Sequence, residues 1–121
     1  MIANWDEVGG LRREKGWTAA TWQPLGNAAG AKGIGLNRIR IDPGRLSTPP
    51  HSHNRAEEIF FVLAGSGLLW QDEAVCEIRA GDTIVEVVMN GNRPALLAKL
   101  DDSLLGLAPP PAGYFALRAT G

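Results

Sequence analysis

The chain has 121 residues, 45% of them hydrophobic, and a formal net charge of −1. This length predicts one domain, and the apolar content is sufficient for a hydrophobic core. Twelve basic residues balance thirteen acidic ones without a long basic run, which argues against nucleic acid as the partner.

The sequence shows no signal for a membrane or for secretion. Its longest apolar run, Ile59–Ala64, is far shorter than the roughly 20 residues of a membrane-spanning helix. The start, MIANWDEVGG, lacks a basic segment followed by an apolar one, so we expect a cytoplasmic protein. The single cysteine, Cys76, excludes an internal disulfide, and the alternating stretch around it predicts a buried small side chain.

Short β-type segments dominate the chain from its N-terminus onward. Only NWDEVGGLRREKG could form a short helix, and its two adjacent glycines disfavour one. Turn-forming stretches recur at 42–44, 64–67, 71–74, 80–82 and 90–92. Many short strands with regular turns predict an all-β sandwich or small barrel. The predicted strands are Thr18–Gln23, Gly35–Ile41, Glu58–Leu63, Leu68–Gln71, Val75–Arg79, Thr83–Val88, Ala95–Leu100 and Leu104–Ala108.

The C-terminal segment APPPAGYFALRATG begins with three prolines. Proline cannot donate a hydrogen bond to a strand ladder. We therefore expect this tail to leave the sheet and to pack over the surface through Tyr114, Phe115 and Leu117.

Both histidines of the chain, His51 and His53, stand two residues apart in PPHSH. Prolines disfavour the helical region for the residue before them, which favours an extended start to this segment. In an extended chain, residues two apart share a face. Two imidazoles on one face can bind one metal ion at about 2.0–2.1 Å.

A third ligand is expected from one of two adjacent glutamates, Glu57 and Glu58, which point to opposite faces of a strand. Beyond them both faces are apolar, which predicts burial on both sides. One side would be the lumen of a barrel, and the other would pack against a second layer or a partner subunit. Strand alternation leaves open which glutamate is inside. Glu58 shares its face with Phe60 and Val62; Glu57 shares its face with Ile59, Phe61 and Leu63.

The segment HSHNRAEEIFFVLAGSG resembles the first motif of the cupin superfamily. That motif has a glycine, five residues, H-x-H, three or four residues, a glutamate, six residues and a second glycine. Here four residues separate His53 from Glu58, and six separate Glu58 from Gly65. Gly44 precedes the motif with one residue more than usual before His51. RAGDTIVE at 79–86 resembles the opening of the second cupin motif.

The resemblance implies an all-β, single-domain jelly-roll β-barrel, the double-stranded β-helix of cupins. It implies an N-terminal arm at about 1–33, the barrel at about 34–108 and a C-terminal tail at 109–121. It also implies a metal ion bound by His51, His53 and Glu58, and so it selects Glu58 over Glu57.

The second motif departs from the family pattern, in which it continues to P-x-G-x-x-H and supplies a fourth ligand. This chain reads GDTIVEVVMNGNRPALL, and aligning Gly91 with the second glycine puts Pro94 at the histidine position. Proline cannot ligate a metal through its side chain, and no other histidine exists. The neighbouring polar or sulfur-bearing residues are not pointed at the metal by anything in the sequence. They are Glu86, Met89, Asn90 and Asn92.

Two histidines and one carboxylate with open positions form the facial triad of non-haem Fe(II) oxygenases, and the set also suits other divalent metals. We therefore predict a divalent metal cofactor, Fe, Mn, Zn or Ni. The alternative is a degenerate cupin without metal, in which His51 and His53 only form hydrogen bonds.

Two functions follow from this reading, and the sequence does not decide whether the protein is an enzyme. The first is a metal-binding cupin that acts on or binds a small organic molecule, as an oxygenase or an isomerase. The second is a non-catalytic cupin that binds or senses a small molecule, with or without metal. No residue is identified as catalytic. We expect a homodimer, because Ile59–Leu63 is apolar on both faces and the tryptophan-rich N-terminal segment needs cover.

Overall fold

The computed structural model describes residues 1–47, 58–71, 74–86 and 115–120. Within this part of the chain, no helix is long and apolar enough to cross a membrane. The described residues form eight strands and one short helix. Their bounds are β1 Leu11–Lys15, β2 Thr18–Gln23, α1 Leu25–Ala29, β3 Arg38–Ile41, β4 Glu58–Phe61, β5 Ser66–Gln71, β6 Ala74–Arg79, β7 Thr83–Glu86 and β8 Phe115–Ala119.

The strands form three small antiparallel sheets, with orders β1-β2-β3, β4-β7 and β6-β5-β8. Leu46 connects the first sheet to the third, because it bridges to Thr18 in β2 and to Arg118 in β8. Strand β4 pairs with β7 rather than with the next strand along the chain. The β5–β6 hairpin is therefore inserted between two paired strands.

The turn before β7 extends the β4–β7 pairing. The backbone N–H of Gly81 donates to the carbonyl of Val62, and the N–H of Val62 donates to the carbonyl of Asp82. The carboxylate of Asp82 accepts a hydrogen bond from the backbone N–H of Arg79 at 2.8 Å. Gly81 has φ 93°, a conformation that residues with a Cβ rarely adopt. The predicted AGD turn thus fixes where β7 begins against β4.

All three sheets contribute to one apolar cluster, here called the interior cluster. Its buried centre is joined by partly buried side chains from neighbouring strands, so β3 to β8 all pack against it. The members are Leu69, Ile84 and Leu117, with Ile41, Phe60, Val62 and Ile78. A shared interior with mostly β structure confirms the predicted β-rich class, whereas the closed jelly-roll barrel stays a prediction.

A second small cluster lies on the opposite face of β5 and β8. Leu46 and Ala116 are buried there, and Leu68 packs against them. Leu68 and Leu69 are adjacent, so strand alternation sends them to opposite faces. The sheet β6-β5-β8 is therefore covered on both faces at this point.

The predicted strand Thr18–Gln23 has the same bounds as β2, but β1 was not predicted. Strand β1 pairs with β2 from Leu11↔Trp22 to Lys15↔Thr18, and Gly16, with φ 57°, follows it. All five residues of β1 are exposed, so it lacks the apolar alternation that identifies a strand in sequence. Its charged side chains suit an edge strand, because they discourage pairing with another chain.

Gln23 and Arg38 connect the residues before β1 to the first sheet. The Gln23 amide donates to the backbone carbonyls of Trp5 at 2.7 Å and Val8 at 2.9 Å. Arg38 donates to Gln23 Oε1 at 3.3 Å, and its guanidinium lies 4.1 Å from the centroid of the Trp5 ring. The start of the chain therefore packs against β2 and β3.

The expectation that the C-terminal tail leaves the sheet is wrong for residues 115–119. These residues form β8 and pair with β5 from Gly67↔Ala119 to Gln71↔Phe115. Leu117 is buried in the interior cluster rather than lying on the surface. Burial of Leu117 and Ala116 outweighs the signal of the preceding prolines, which concerns only residues 109–111.

Cys76 is also a correction, because its side chain is exposed rather than buried. It belongs to β6, which is at the edge of its sheet among the described strands. Of this strand's residues with described side chains, Ile78 packs against the interior cluster. The predicted strands Ala95–Leu100 and Leu104–Ala108 lie outside the described residues.

Candidate metal site at the start of strand β4

The structure describes one of the three predicted ligands. Glu58 is the first residue of β4 and is half-buried. His51 and His53 lie outside the described residues, as do Glu57 and Pro94. No group of three or more His, Cys, Asp or Glu side chains suited to a metal occurs within the described ranges, which include neither histidine.

The two faces of β4 have different surroundings. Phe60 and Val62 are half-buried and pack against the interior cluster. Ile59, Phe61 and Leu63 are 68%, 59% and 59% exposed. Glu58 lies on the face of Phe60 and Val62, because side chains alternate along a strand. This is the inner face. Strand alternation alone left open whether Glu57 or Glu58 faces the interior, and the structure places Glu58 there. The role of Glu58 as a metal ligand stays a prediction.

Strand β7 provides the other half of this inner face. Phe60 pairs with Ile84, and both belong to the interior cluster. Two positions away from this pair, Glu58 pairs with Glu86. Glu58 is the first residue of β4, and Glu86 is the last residue of β7. Paired residues in an antiparallel ladder share a face, so Glu86 occupies an inner-face position directly opposite Glu58. The row of two glutamates therefore adjoins an apolar row.

Sequence reasoning noted Glu86 as a neighbour of the second motif but could not assign it to the site. The alternation of β7, with Ile84 buried and Thr83 and Val85 exposed, is the local signal for its face. Its partner on β4 depends on a pairing across more than twenty residues, which local patterns do not report. The missing information was therefore the register of β4 against β7.

The inner face of the first sheet carries an unsatisfied donor. Trp22 shares a face with Ile41 through the register of β2 and β3, and the Arg13 guanidinium lies 4.9 Å from the centroid of its ring. The buried Trp22 Nε1 has no hydrogen-bond partner in the described part of the chain. Buried donors without a partner are uncommon, so this indole N–H is a candidate contact for an acceptor atom.

Arg12 and Asp42 form an ion pair on the exterior of the first sheet. Arg12 Nη1 donates to Asp42 Oδ1 at 2.7 Å, and Arg12 Nη2 donates to Asp42 Oδ2 at 2.6 Å. A second acceptor for Nη2 is Glu14 Oε2 at 3.3 Å. These hydrogen bonds raise the pKa of Arg12 and lower the pKa of Asp42. Both groups are on the face of the first sheet opposite Ile41, which belongs to the interior cluster.

Comparison with known proteins identifies the domain. Residues 37–87 match the family described as Cupin domain. These comparisons support a cupin domain over these residues. The resemblance seen in the sequence is thereby confirmed, and the match includes His51, His53, Glu58 and Glu86.

The chain also resembles a curated plant protein over part of its length. It is 45% identical over 56 residues to Germin-like protein 3-1 of Oryza sativa subsp. japonica. The aligned stretch covers 45% of this chain and 24% of the germin-like protein. The chain thus corresponds to about a quarter of that relative.

Two solved structures have the same fold. One is a proposed sugar phosphate isomerase from Acidithiobacillus ferrooxidans, with a TM-score of 0.66 and 21% identity, over 95% of this chain and 61% of that chain. The other is a cupin-superfamily sugar phosphate isomerase from Silicibacter pomeroyi, with a TM-score of 0.66 and 19% identity, over 99% of this chain and 67% of that chain. At these identities the likeness shows the fold alone.

Proposed function

We propose that this cupin domain binds one divalent metal ion through His51, His53 and Glu58, and that it binds or acts on a small organic molecule beside the metal. The observation that carries the proposal is the position of Glu58. It stands on the inner face of β4, next to the interior cluster, while its neighbour Ile59 is exposed. The glutamate with the motif spacing is therefore the one on the inner face.

The donor set fits a divalent metal. Two imidazoles and one carboxylate suit Fe, Mn, Zn and Ni. Glu58 begins β4 and follows His53 by five positions in the sequence. When bound, such a metal polarises an oxygen atom of a substrate as a Lewis acid. Phe60 and Ile84 form the next pair of the ladder on the same face, and they make the surface beside Glu58 apolar.

For the reaction, we propose isomerisation of a phosphorylated sugar as the first activity to test. The two solved structures of the same fold are described as sugar phosphate isomerases, one of them as a proposed one. Oxidation by O₂ is the next candidate, because two histidines with one carboxylate also form the facial triad of Fe(II) oxygenases. The fold itself does not choose between these reactions.

A non-catalytic binding or sensing cupin is the second candidate. It is favoured by one feature of this chain, Pro94 at the position where the second cupin motif has its histidine. A site that lacks a family ligand holds its metal less tightly and has lost part of its reactive surroundings. Such a domain would bind a small molecule without converting it.

The deciding experiment measures the metal content of the purified protein and its turnover of a panel of sugar phosphates, with O₂ consumption recorded in parallel. Turnover that needs added metal supports the enzyme. Metal-dependent binding of a sugar phosphate, without turnover or O₂ consumption, supports the binding module. Failure to bind Mn²⁺, Fe²⁺, Zn²⁺ or Ni²⁺ at millimolar concentration contradicts the metal site itself.

We also propose that two copies of the chain pair through the outer apolar face of the β4–β7 sheet. Four exposed side chains on this face are apolar: Ile59, Phe61, Leu63 and Val85. Contiguous exposed apolar side chains favour association, and a second copy of the same face is the commonest partner in homo-oligomers. The inner face is then left free for the metal and its ligand.

A further inference from the structure

Arginine lies over tryptophan at three places in the described part of the chain, and two of these contacts also have a hydrogen bond within the protein. Arg38 lies 4.1 Å from the centroid of the Trp5 ring and donates to a glutamine side chain at 3.3 Å. Arg118 lies 4.8 Å from the centroid of the Trp17 ring and donates to a backbone carbonyl at 3.0 Å. Both guanidinium groups therefore have a structural acceptor.

The third pair, Arg13 and Trp22, lacks such an acceptor among the described residues. The Arg13 guanidinium lies 4.9 Å from the centroid of the Trp22 ring, and the Arg13 side chain is exposed. The indole Nε1 of Trp22 is buried and has no hydrogen-bond partner in the same part of the chain. A buried donor that stays unpaired is costly. Two neighbouring side chains thus carry donors that the described protein does not use.

This pair is on the inner face of the first sheet. Arg13 is paired with Ala20, and Trp22 is two residues further along β2, so the side chains of all three share a face. Ile41 is also paired with Ala20 and packs against the interior cluster. The inner face of β4, on which Glu58 lies, packs against the same cluster. The unused donors are therefore on the side of the sheet that faces the interior.

The charges of the first sheet are divided unevenly between its two faces. Arg13 and Lys15 are two residues apart on β1 and both are exposed, so they project from the inner face. The three strands of this sheet contain one acidic residue, Glu14, which is on the opposite face and accepts a hydrogen bond from Arg12 at 3.3 Å. The inner face thus carries two positive charges and no negative charge from its own strands. Such a surface attracts anions.

We infer that Arg13 and Trp22 form a subsite for an anionic group of the small molecule, a phosphate or a carboxylate. A guanidinium is a planar fork of N–H donors that matches two oxygen atoms of either group, and the indole N–H is a further donor. The contact with the Trp22 ring uses the positive charge of Arg13 and no acceptor atom, which leaves the guanidinium donors for a ligand. Because Nε1 is covered, an oxygen atom reaches it after a side chain beside it moves, and the exposed Arg13 is able to move.

The inference rests on the ligand-binding part of the proposed function and does not require the metal. The test follows the indole N–H signals by heteronuclear NMR while inorganic phosphate is added to protein treated with EDTA, because a bound metal would itself bind phosphate. The chain has four tryptophans, and Trp22→Phe identifies the Trp22 signal by its loss. If this variant does not fold, Phe variants of the other three tryptophans assign the signal by elimination.

In wild type, the Trp22 signal should move downfield and saturate, because its N–H gains an oxygen acceptor, while the other indole signals stay in place. Acetate, titrated in the same way, distinguishes a carboxylate from a phosphate. Glucose 6-phosphate, with glucose as the uncharged control, distinguishes a phosphate carried by a sugar from the free ion. A response to any of the three anions supports the subsite, and their relative affinities identify the class of ligand.

Variants of Arg13 test its part in binding. Arg13→Ala should weaken binding of the responding anion by about ten- to hundredfold, because a charge-assisted hydrogen bond is lost. Arg13→Lys keeps the charge without the planar fork and should recover part of this loss. Arg40→Ala is the matched control: it removes the same charge from an exposed residue on the opposite face and should bind like wild type. Circular dichroism checks that each variant is folded.

The outcomes separate this inference from the proposed metal site. If phosphate, glucose 6-phosphate and acetate all leave the Trp22 signal in place at millimolar concentration, the anion subsite is wrong, whether or not the protein binds a metal. Equal losses of affinity in Arg13→Ala and Arg40→Ala also overturn it, because the attraction would then come from net charge. Anion binding that depends on Arg13, in a protein that binds no divalent metal, supports the subsite and refutes the metal site.

Discussion

The two faces of the β4–β7 sheet both carry apolar side chains in sequence but differ in their surroundings. On the inner face, Phe60 and Ile84 pack into the interior cluster. On the outer face, Ile59 and Val85 are exposed, although they are paired in the same ladder. The apolar pattern therefore identifies a strand with two apolar faces, but it does not show which face is buried in the interior. Enclosure depends on the strands that pack across the interior, which are distant in sequence.

The exterior of the first sheet carries charged side chains instead of apolar ones. There Arg12 and Asp42 form a bidentate ion pair, and Arg40 is exposed. Charged side chains are well hydrated at this exterior, whereas the outer face of β4–β7 exposes apolar side chains to solvent. The described exterior thus has a charged surface on the first sheet and an apolar surface on β4–β7, and the apolar surface is the one proposed to meet a second copy.

The largest expected effect is the difference between neighbouring residues on β7. Ile84→Ala should lower the free energy of unfolding by about 2–5 kcal/mol, because it leaves a cavity in the interior cluster. Val85→Ala should cost less than about 1 kcal/mol, since the exposed side chain loses little packing. Urea denaturation measures both. Equal losses would show that the two faces are not distinguished by burial.

The second prediction compares the two adjacent glutamates. Glu58→Ala should weaken metal binding by more than about 100-fold, beyond the 10–100-fold typical of outer-sphere partners. His51→Ala and His53→Ala should weaken it to a similar extent. Glu57→Ala should change it little, because a strand that places Glu58 inward directs Glu57 outward. Calorimetric titration measures the affinities, and equal losses at Glu57 and Glu58 would refute the assignment of faces.

The third prediction concerns the outer apolar face. Phe61→Lys places a charge in the centre of this face and should convert a dimer into a monomer of 12.9 kDa without unfolding it. Arg40→Ala, on the exterior of the first sheet, should leave the dimer intact. Light scattering at micromolar concentration gives the mass. A monomeric wild type, or a Phe61→Lys variant that still dimerises, contradicts pairing through this face.

The strands that could be predicted from the sequence are those with clear alternation and flanking turns. Thr18–Gln23 has the bounds of β2, and the start of β4 at Glu58 was predicted. Strand β1 escaped prediction because every residue in it is exposed, which leaves no apolar signal. Strand β8 was not predicted, because the preceding proline run suggested that the tail leaves the sheet. Its conformation depends on pairing with β5.

The candidate site was predictable to the extent that its signal is local. The spacing from His51 to Gly65 is a motif within one segment, so it identified Glu58 as a ligand candidate. The position of Glu86 depends on the pairing of β4 with β7 across the inserted β5–β6 hairpin. Such a register is a tertiary property, and no window of the sequence contains it.

The smallest expected effect tests the charged exterior against the apolar one. Arg12 holds the pKa of Asp42 below its ordinary value through two hydrogen bonds. A carboxyl group with a lowered pKa in the folded state stabilises the fold above its ordinary pKa, and this contribution disappears as the pH falls through the lowered value. Asp42→Asn should therefore lower the melting temperature slightly at pH 7, since exposed ion pairs contribute little.

That difference between Asp42→Asn and wild type should shrink below about pH 4, the region of the ordinary aspartate pKa. Glu14→Gln is the matched control, because its carboxylate is the more distant acceptor for Arg12 at 3.3 Å, and its effect should be smaller. Thermal melts between pH 3 and pH 7, monitored by circular dichroism, measure both variants. A difference that stays constant down to pH 3 would mean that Asp42 stabilises the turn after β3 by its shape. The exterior of the first sheet would then differ from the outer face of β4–β7 in composition, but its charges would not contribute to stability.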